Sequence, residues 1–543
     1  MIRMLFLPCP VLTGTTIFLK LLVSVSPVIT ALLLRQLVDS LESGISLESM
    51  KVFFIFTLIF LGVRSFLQGC SQWIQSVHDQ TFTDWMSLKI QKKSMEIPYH
   101  YYESSQYHDT LHRAQDEARH RFPFLLNHFM QMLCIALSLL IFLIYLSQDY
   151  GAVSAILVLS VIPGLVMRIY RSRWYVKQKK LFSSEERRAE YYHYLLINTH
   201  SAKEIRNFGF GNWLSTKFMN LRENLRERVS RIEFRLFLMG LLSDFLAVVL
   251  LGAAVFMLVQ EVQLGNSSTG GLVMCFHLIL KSFEMLKSFF SSSGVFMDNL
   301  FFLENLDDFF AISAAIPDVN GSRIRHSKVE FRGVGFHYPG TGDFSLKDIN
   351  FTLEQGDILL IKGENGSGKT TLARIICGLF QPQTGEIFLD GADTAKGELD
   401  VRQRCFSVLW QDFGRYSFSL KENVGFSECC LQQVLKQAGV KEFSDGLPQG
   451  VDTLLGKEFD SGTDLSFGQW QRVAFARALN QDRQFFILDE PTSFLDSAMR
   501  ERLITLLKDF SKKAVVIISH DPEFEKIATK TITLQSGRIV PNE

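Results

Sequence analysis

The stretch ILLIKGENGSGKTTLARII, residues 358–376, decides how this chain is read. An apolar run of strand length leads into a glycine-rich turn, and the turn opens a helix. Gly363 to Thr370 fits G-x-x-x-x-G-K-[ST], the pattern of a phosphate-binding loop, in the strand-to-helix context that the pattern demands. The glycines Gly363, Gly366 and Gly368 let backbone N–H groups wrap phosphate oxygens without side chains in the way. The helix start at Lys369 adds further donors and the positive end of its dipole. Asn365, Ser367 and Thr371 complete the cradle. Lys369 is placed for the β- and γ-phosphates, and the Thr370 hydroxyl for Mg²⁺.

Downstream, Phe485-Phe-Ile-Leu-Asp489-Glu490 reads as a buried strand delivering two carboxylates at its end. Asp489 suits Mg²⁺, through water, and Glu490 suits the orientation or deprotonation of an attacking water. Around these motifs, strand-like runs such as VEFRGVGFHY alternate with helical ones, an α/β pattern that begins near residue 327. It follows a Pro/Gly/Ser-containing linker over 306–326.

Residues 1–305 differ in kind. Apolar stretches near Val11–Leu34, Val52–Cys70, Phe124–Leu146, Gly151–Tyr170, Leu236–Val259 and Gly271–Phe290 are long enough to cross a bilayer, which takes roughly 20 helical residues. The sixth is interrupted by Lys281, Glu284 and Lys287. The connections after the second and fourth are long, basic and helical in pattern. They carry Lys89, Lys92, Lys93, Arg113, Arg119 and Arg121 in the first, and Arg171, Lys177, Arg187, Arg188 and Lys203 among others in the second. The positive-inside rule puts both loops and both chain ends in the cytoplasm. Within the spans, Asp244, His277, Lys281 and Glu284 either face a bundle interior or, in the sixth, lie on a helix end beyond the bilayer.

Composition agrees with this division. Lys+Arg and Asp+Glu both number 56 in 543 residues, so the zero formal charge argues against a polycationic nucleic-acid binder. Mean hydropathy is positive, +0.13, and Phe occurs 48 times, as expected of one very apolar part joined to one ordinary part. The eight cysteines form no CxxC pair, which reads as reduced thiols.

Leu465-Ser466-Phe467-Gly468-Gln469, between the phosphate loop and Asp489-Glu490, resembles the signature of ATP-binding cassette (ABC) transporters. Tyr338 in FHYP is similar to the aromatic that stacks on adenine. Gln411 in LWQDF is similar to the glutamine that touches Mg²⁺. Ser493-Phe-Leu-Asp496 is similar to the loop that crosses the dimer, and His520 in IISHD to the switch histidine at the γ-phosphate. The resemblance implies an all-α membrane domain of six transmembrane helices followed by an α/β P-loop ATPase domain over 327–543. It implies a half-transporter of exporter type that works as a homodimer on ATP and Mg²⁺, in the bacterial cytoplasmic membrane, with the ATPase in the cytoplasm. Ser466, Gly468 and Gln469 of one copy are then expected at the γ-phosphate held by Lys369 of the other. One departure stands out: Phe467 occupies a position usually glycine.

Coupling is expected through a short helix near Ser104–Leu111 and a segment near Ser201–Phe210, with Gln411 in the groove they enter. QDFGRYSFSLKENV and LGKEFDSGTDLSFGQWQR resemble nisin-type lantibiotic and related peptide exporters, which implies a peptide cargo. With few residues before the first span, a leader-cleaving cysteine-protease domain is not expected there. A lipid or amphipathic-drug exporter, and a regulatory ATPase that does not pump, remain as other readings.

Overall fold

In the computed structural model, the described residues are 9–43, 47–149, 151–264, 268–312, 326–338, 345–394, 399–425, 430–481, 483–510 and 512–541. The chain divides into two compact units. One comprises Met1–Gln91 and Thr110–Phe310; the other comprises Lys92–Asp109 and Ala311–Glu543.

The first unit is built from long helices: α1 (Pro10–Glu42), α2 (Leu47–Glu96), α3 (Ser105–Asp149), α4 (Gly151–Ile197), α5 (Thr199–Asn207), α6 (Gly211–Gln263) and α7 (Thr269–Ala311). At 1.5 Å per residue, the 50 residues of α2 extend about 75 Å, well beyond a bilayer's hydrocarbon. Among the described residues, five helical segments are long and apolar enough to cross a membrane: Pro10–Glu42, Met50–Glu96, Phe124–Gln148, Gly211–Gln260 and Thr269–Met297. The fourth expected span falls on α4, whose apolar stretch Gly151–Gly164 is shorter. Phe54, Ile55, Phe66, Leu242 and Phe245 point outward on these helices, an apolar exterior that suits lipid rather than water. Inside, Val28, Phe142, Leu146, Leu157, Leu251, Leu258 and Leu278 form a packed core from α1, α3, α4, α6 and α7. On α7, Lys281 and Glu284 form an ion pair at 2.5 Å, one turn apart on the same face.

The expected helix near Ser104–Leu111 is organised differently. Pro98, which donates no N–H, follows the end of α2, and a separate 3₁₀ turn occupies Tyr99–Glu103. Residues from Ser105 onward already belong to α3. The second expected segment coincides with α5 and the turn after it. Residues 313–325 of the expected linker lie outside the described residues, while 306–311 complete α7.

The second unit carries two sheets. A four-stranded antiparallel sheet has the order β2-β1-β4-β5, formed by β1 (Lys328–Phe336), β2 (Leu346–Glu354), β4 (Thr384–Leu389) and β5 (Ala392–Asp393). A six-stranded sheet has the order β10-β9-β3-β8-β7-β6. Its members are β3 (Ile358–Gly363), β6 (Phe406–Leu409), β7 (Phe485–Asp489), β8 (Ala514–Ile518), β9 (Lys530–Gln535) and β10 (Arg538–Val540). Its central strands pair in parallel, with only β10 antiparallel. FFILD and AVVII are buried on both faces, so they read as unbroken apolar runs rather than alternating ones. Three helices matter for the site: α8 (Lys369–Ile376), α9 (Phe467–Asn480) and α10 (Ser497–Lys508).

Candidate nucleotide site

The carboxyl ends of β3, β7 and β8 present the motif residues together, where parallel sheets bind ligands. Gly363 ends β3 with φ +147, and a Cβ there would lie 2.2 Å from Leu534 O, so only glycine fits. Gly368, at φ +105, is the N-cap of α8, and a Cβ there would press on Leu346 at 2.8 Å. Lys369 opens α8 with its ammonium folded back, donating to Gly363 O at 2.6 Å and Glu364 O at 2.9 Å. Burial lowers its pKa, and the Glu490 and Asp489 carboxylates oppose that shift. The buried Ser367 hydroxyl has no partner in the described residues, a free polar group inside the loop.

Thr370 Oγ1 donates to Asp489 Oδ2 at 3.4 Å. Asp489 is 2% exposed. Burial pushes its pKa up to about 6, against the Thr370 hydrogen bond, with the Glu490 and Asp412 carboxylates adding to the rise. A buried carboxylate so placed, beside a hydroxyl and two further acids, is under-compensated until a cation arrives. The oxygens of Thr370 and Asp489 suit Mg²⁺, beside the Lys369 ammonium, which opposes the rise. Gln411 lies in the exposed turn after β6, next to Asp412. Glu490 follows β7 in the left-handed region, φ +49, a conformation that costs energy in a non-glycine residue. Its N–H donates to Ile518 O at 2.9 Å, and Gln471 of α9 donates to the carbonyl of Pro491 at 3.1 Å. His520 is exposed just past β8. The cap of the following turn is Asp521, which accepts from Glu523 N at 3.1 Å, so His520 does not serve as that cap.

Past β1, Tyr338 stands edge-on to Phe336 and Phe380, and its hydroxyl lies 3.0 Å from Thr371 Oγ1. Within the same unit, the turn Tyr99–Glu103 reaches this corner. Tyr99 contacts Phe380 with centroids 5.9 Å apart, and Glu103 pairs with Arg374 of α8 at 2.5 Å. Neither Arg374 nor Glu103 stands out in the sequence. A basic residue two turns into a helix and an acid after a Tyr run carry no pattern that links them.

Ser466 caps α9 in a reciprocal box: its hydroxyl accepts from Gln469 N, and Gln469 Oε1 accepts from Ser466 N at 2.8 Å. Gly468 packs so closely that a Cβ would lie 2.8 Å from Phe494 O. Phe467 lies against Phe494 at 4.0 Å and Phe413 at 5.4 Å, with the Arg415 guanidinium over its ring at 4.7 Å. Asp496 caps α10 through Met499 N and pairs with Arg472 at 2.8 Å. Among the described residues, no hydrogen bond joins Ser466, Gly468, Gln469 or Asp496 to Lys369, Thr370 or Asp489. One chain thus brings together the phosphate loop, Asp489 and Glu490. It leaves the signature residues satisfied by local caps.

The family profile described as ABC transporter matches residues 346–493. The subtilin transport ATP-binding protein SpaT of Bacillus subtilis is 28% identical over 551 residues, covering 97% of this chain and 88% of that protein. The chain carries an ABC transporter ATPase domain joined to a membrane-type helical unit. The nisin transport ATP-binding protein NisT of Lactococcus lactis subsp. lactis is 25% identical over 539 residues, covering 96% of this chain and 89% of its own. A bacterial Atm1-family ABC exporter with ATP bound superposes with a TM-score of 0.85 at 18% identity, covering 98% of this chain and 95% of that one; at that identity the likeness is one of fold. The ATPase domain of this chain binds ATP, and its activity is ATP hydrolysis coupled to export.

Proposed function

We propose that this ABC transporter exports a peptide from the cytoplasm as a homodimer, with two ATP molecules held between the ATPase domains. Lys369 and the loop over Gly363–Thr371 hold the phosphates, and Tyr338 stacks on the base. Thr370, Asp489 and Gln411 would hold Mg²⁺, which would neutralise charge developing on the phosphates. Glu490 orients a water and takes its proton as the water oxygen bonds to the γ-phosphorus. The bond from that phosphorus to the β–γ bridging oxygen breaks, giving ADP and inorganic phosphate. His520 contacts the γ-phosphate. Ser466, Gly468 and Gln469 of the second copy close over it, with Asp496 in the loop that crosses between copies. Losing the γ-phosphate removes their shared anchor and parts the two domains. The cargo reading rests on full-length similarity to the subtilin and nisin transport proteins, which extends through the helical unit.

An apolar cavity of about 370 Å³ among the helices, lined by Leu139, Phe142, Leu157 and Phe289, supports a second reading, export of lipid-like molecules. The test is ATP-dependent uptake into inverted membrane vesicles from a panel of lantibiotic-type peptides and labelled lipids. Peptide uptake that stops in Glu490→Gln supports the proposal; uptake of lipid alone overturns it.

A further inference from the structure

A second cavity in the helical unit, about 310 Å³, is chemically unlike the apolar one. Asp244 of α6 and Lys287 of α7 both line it, together with Ser160, Ser243 and Ser291. Leu286 lines both cavities, so an apolar chamber and a polar one adjoin. Asp244 and Lys287 belong to two of the helical segments apolar enough to cross a membrane. Among the described residues, neither side chain forms an ion pair or a hydrogen bond. The contrast lies one helix turn away on α7, where Lys281 and Glu284 neutralise each other. Ionisable groups within spans are costly and normally pair or face a path used by cargo. Two opposite charges left unpaired around one cavity are a complementary surface for something that carries both.

We propose that this cavity is a cargo subsite for an amphipathic peptide bearing an amine and a carboxylate beside bulky apolar side chains. Asp244 receives the amine and Lys287 the carboxylate. Ser243 adds a hydroxyl beside the two charges, and the adjoining chamber across Leu286 takes an apolar side chain. A zwitterionic phospholipid would match the charges too; the full-length similarity to the subtilin and nisin transport proteins favours the peptide. The inference rests on the peptide-export reading and names the features of the peptide that are read.

The test uses the full chain in proteoliposomes and a synthetic amphipathic peptide with one lysine and a free C-terminal carboxylate. Its acetyl-lysine and C-terminally amidated forms serve as comparisons. The readouts are ATP-dependent uptake and the peptide concentration that half-maximally stimulates ATP turnover. Acetylation and amidation are each expected to raise that concentration about 10-fold in the unaltered protein, the scale of losing one charged hydrogen bond. Asp244→Asn should erase the discrimination against acetyl-lysine alone, and Lys287→Met that against the amide alone, while Asp244→Glu retains the former. Peptide uptake with no charge discrimination in the unaltered protein, or with both discriminations intact in both variants, overturns the subsite and leaves peptide export standing. Transport of phosphatidylethanolamine with no uptake of any peptide form overturns the export reading, and the occupant with it.

Discussion

The phosphate-loop end and the signature end of the ATPase domain are held by opposite means. At the first, Lys369, Thr370, Asp489 and Glu490 converge on the buried edge of a parallel sheet. There a carboxylate is pushed up to about 6 and a glutamate is held at φ +49. At the second, Ser466 and Asp496 are exposed and already satisfied, one by its capping box and the other by a helix cap and Arg472. In the proposed function, strain and under-compensated charge belong to the end that does chemistry on what it binds. Exposed, capped helix starts mark the end that offers donors outward, because the capped N-terminus still carries the positive end of its dipole. The difference gives physical support to a site completed by a second copy.

The contrast can be broken most severely at Glu490. Glu490→Gln is expected to lower ATP turnover at least about 100-fold while nucleotide binding persists, measured by phosphate release and by binding of a fluorescent ATP analogue. Equal turnover would remove Glu490 from the chemistry. At the other end, Ser466→Arg should lower turnover about 10- to 100-fold without weakening ATP binding to Lys369 and its loop. Loss of binding instead would mean that Ser466 belongs to its own chain's site.

A smaller effect concerns Asp489 and pH. Its folded pKa lies above the unfolded value of 3.8, so burial penalises the ionised form. That penalty is absent below pH 3.8 and complete above about 6. Two outcomes follow. The Mg²⁺ concentration needed for half-maximal turnover should rise as pH falls from 7.5 towards 5.5, because protons compete for the same oxygens. Asp489→Asn, which relieves on the order of 3 kcal/mol of penalty, should raise the melting temperature of the nucleotide-free protein by a few degrees while abolishing turnover.

The smallest effect is expected at the aromatic contact. Phe467→Gly removes the packing on Phe494, Phe413 and Arg415 and is expected to change turnover about 3-fold with ATP binding intact, since the ring tethers exposed loops rather than a core.

Much of this site was legible in the sequence because its chemistry is local. The glycines, Lys369, Thr370 and the apolar strand before Asp489 sit in contiguous runs whose geometry follows from the residues themselves. The turn Tyr99–Glu103 was not legible. A short helix was expected near Ser104–Leu111; that stretch instead opens the long α3 from Ser105, and a separate 3₁₀ turn follows Pro98. Its pairing with Arg374 joins residues 271 positions apart in the chain, which no periodicity records. The role of Phe467 was equally hidden: as one residue in a motif it looked like a departure, and only its contacts show that a ring fills the space beside Phe494. The polar cavity around Asp244 and Lys287 likewise depends on how α6 and α7 pack, although both charges were visible within apolar runs.

The central claim is that ATP is held between two copies, and disulfide trapping tests it most directly. In a cysteine-free Glu490→Gln background, cysteines are placed at Ser466 and Asn365, one at each end of the site. The account expects ATP to promote a cross-linked species at the mass of two chains, absent when either cysteine is omitted. A cross-link formed within a single chain, or none in the presence of ATP, would contradict it.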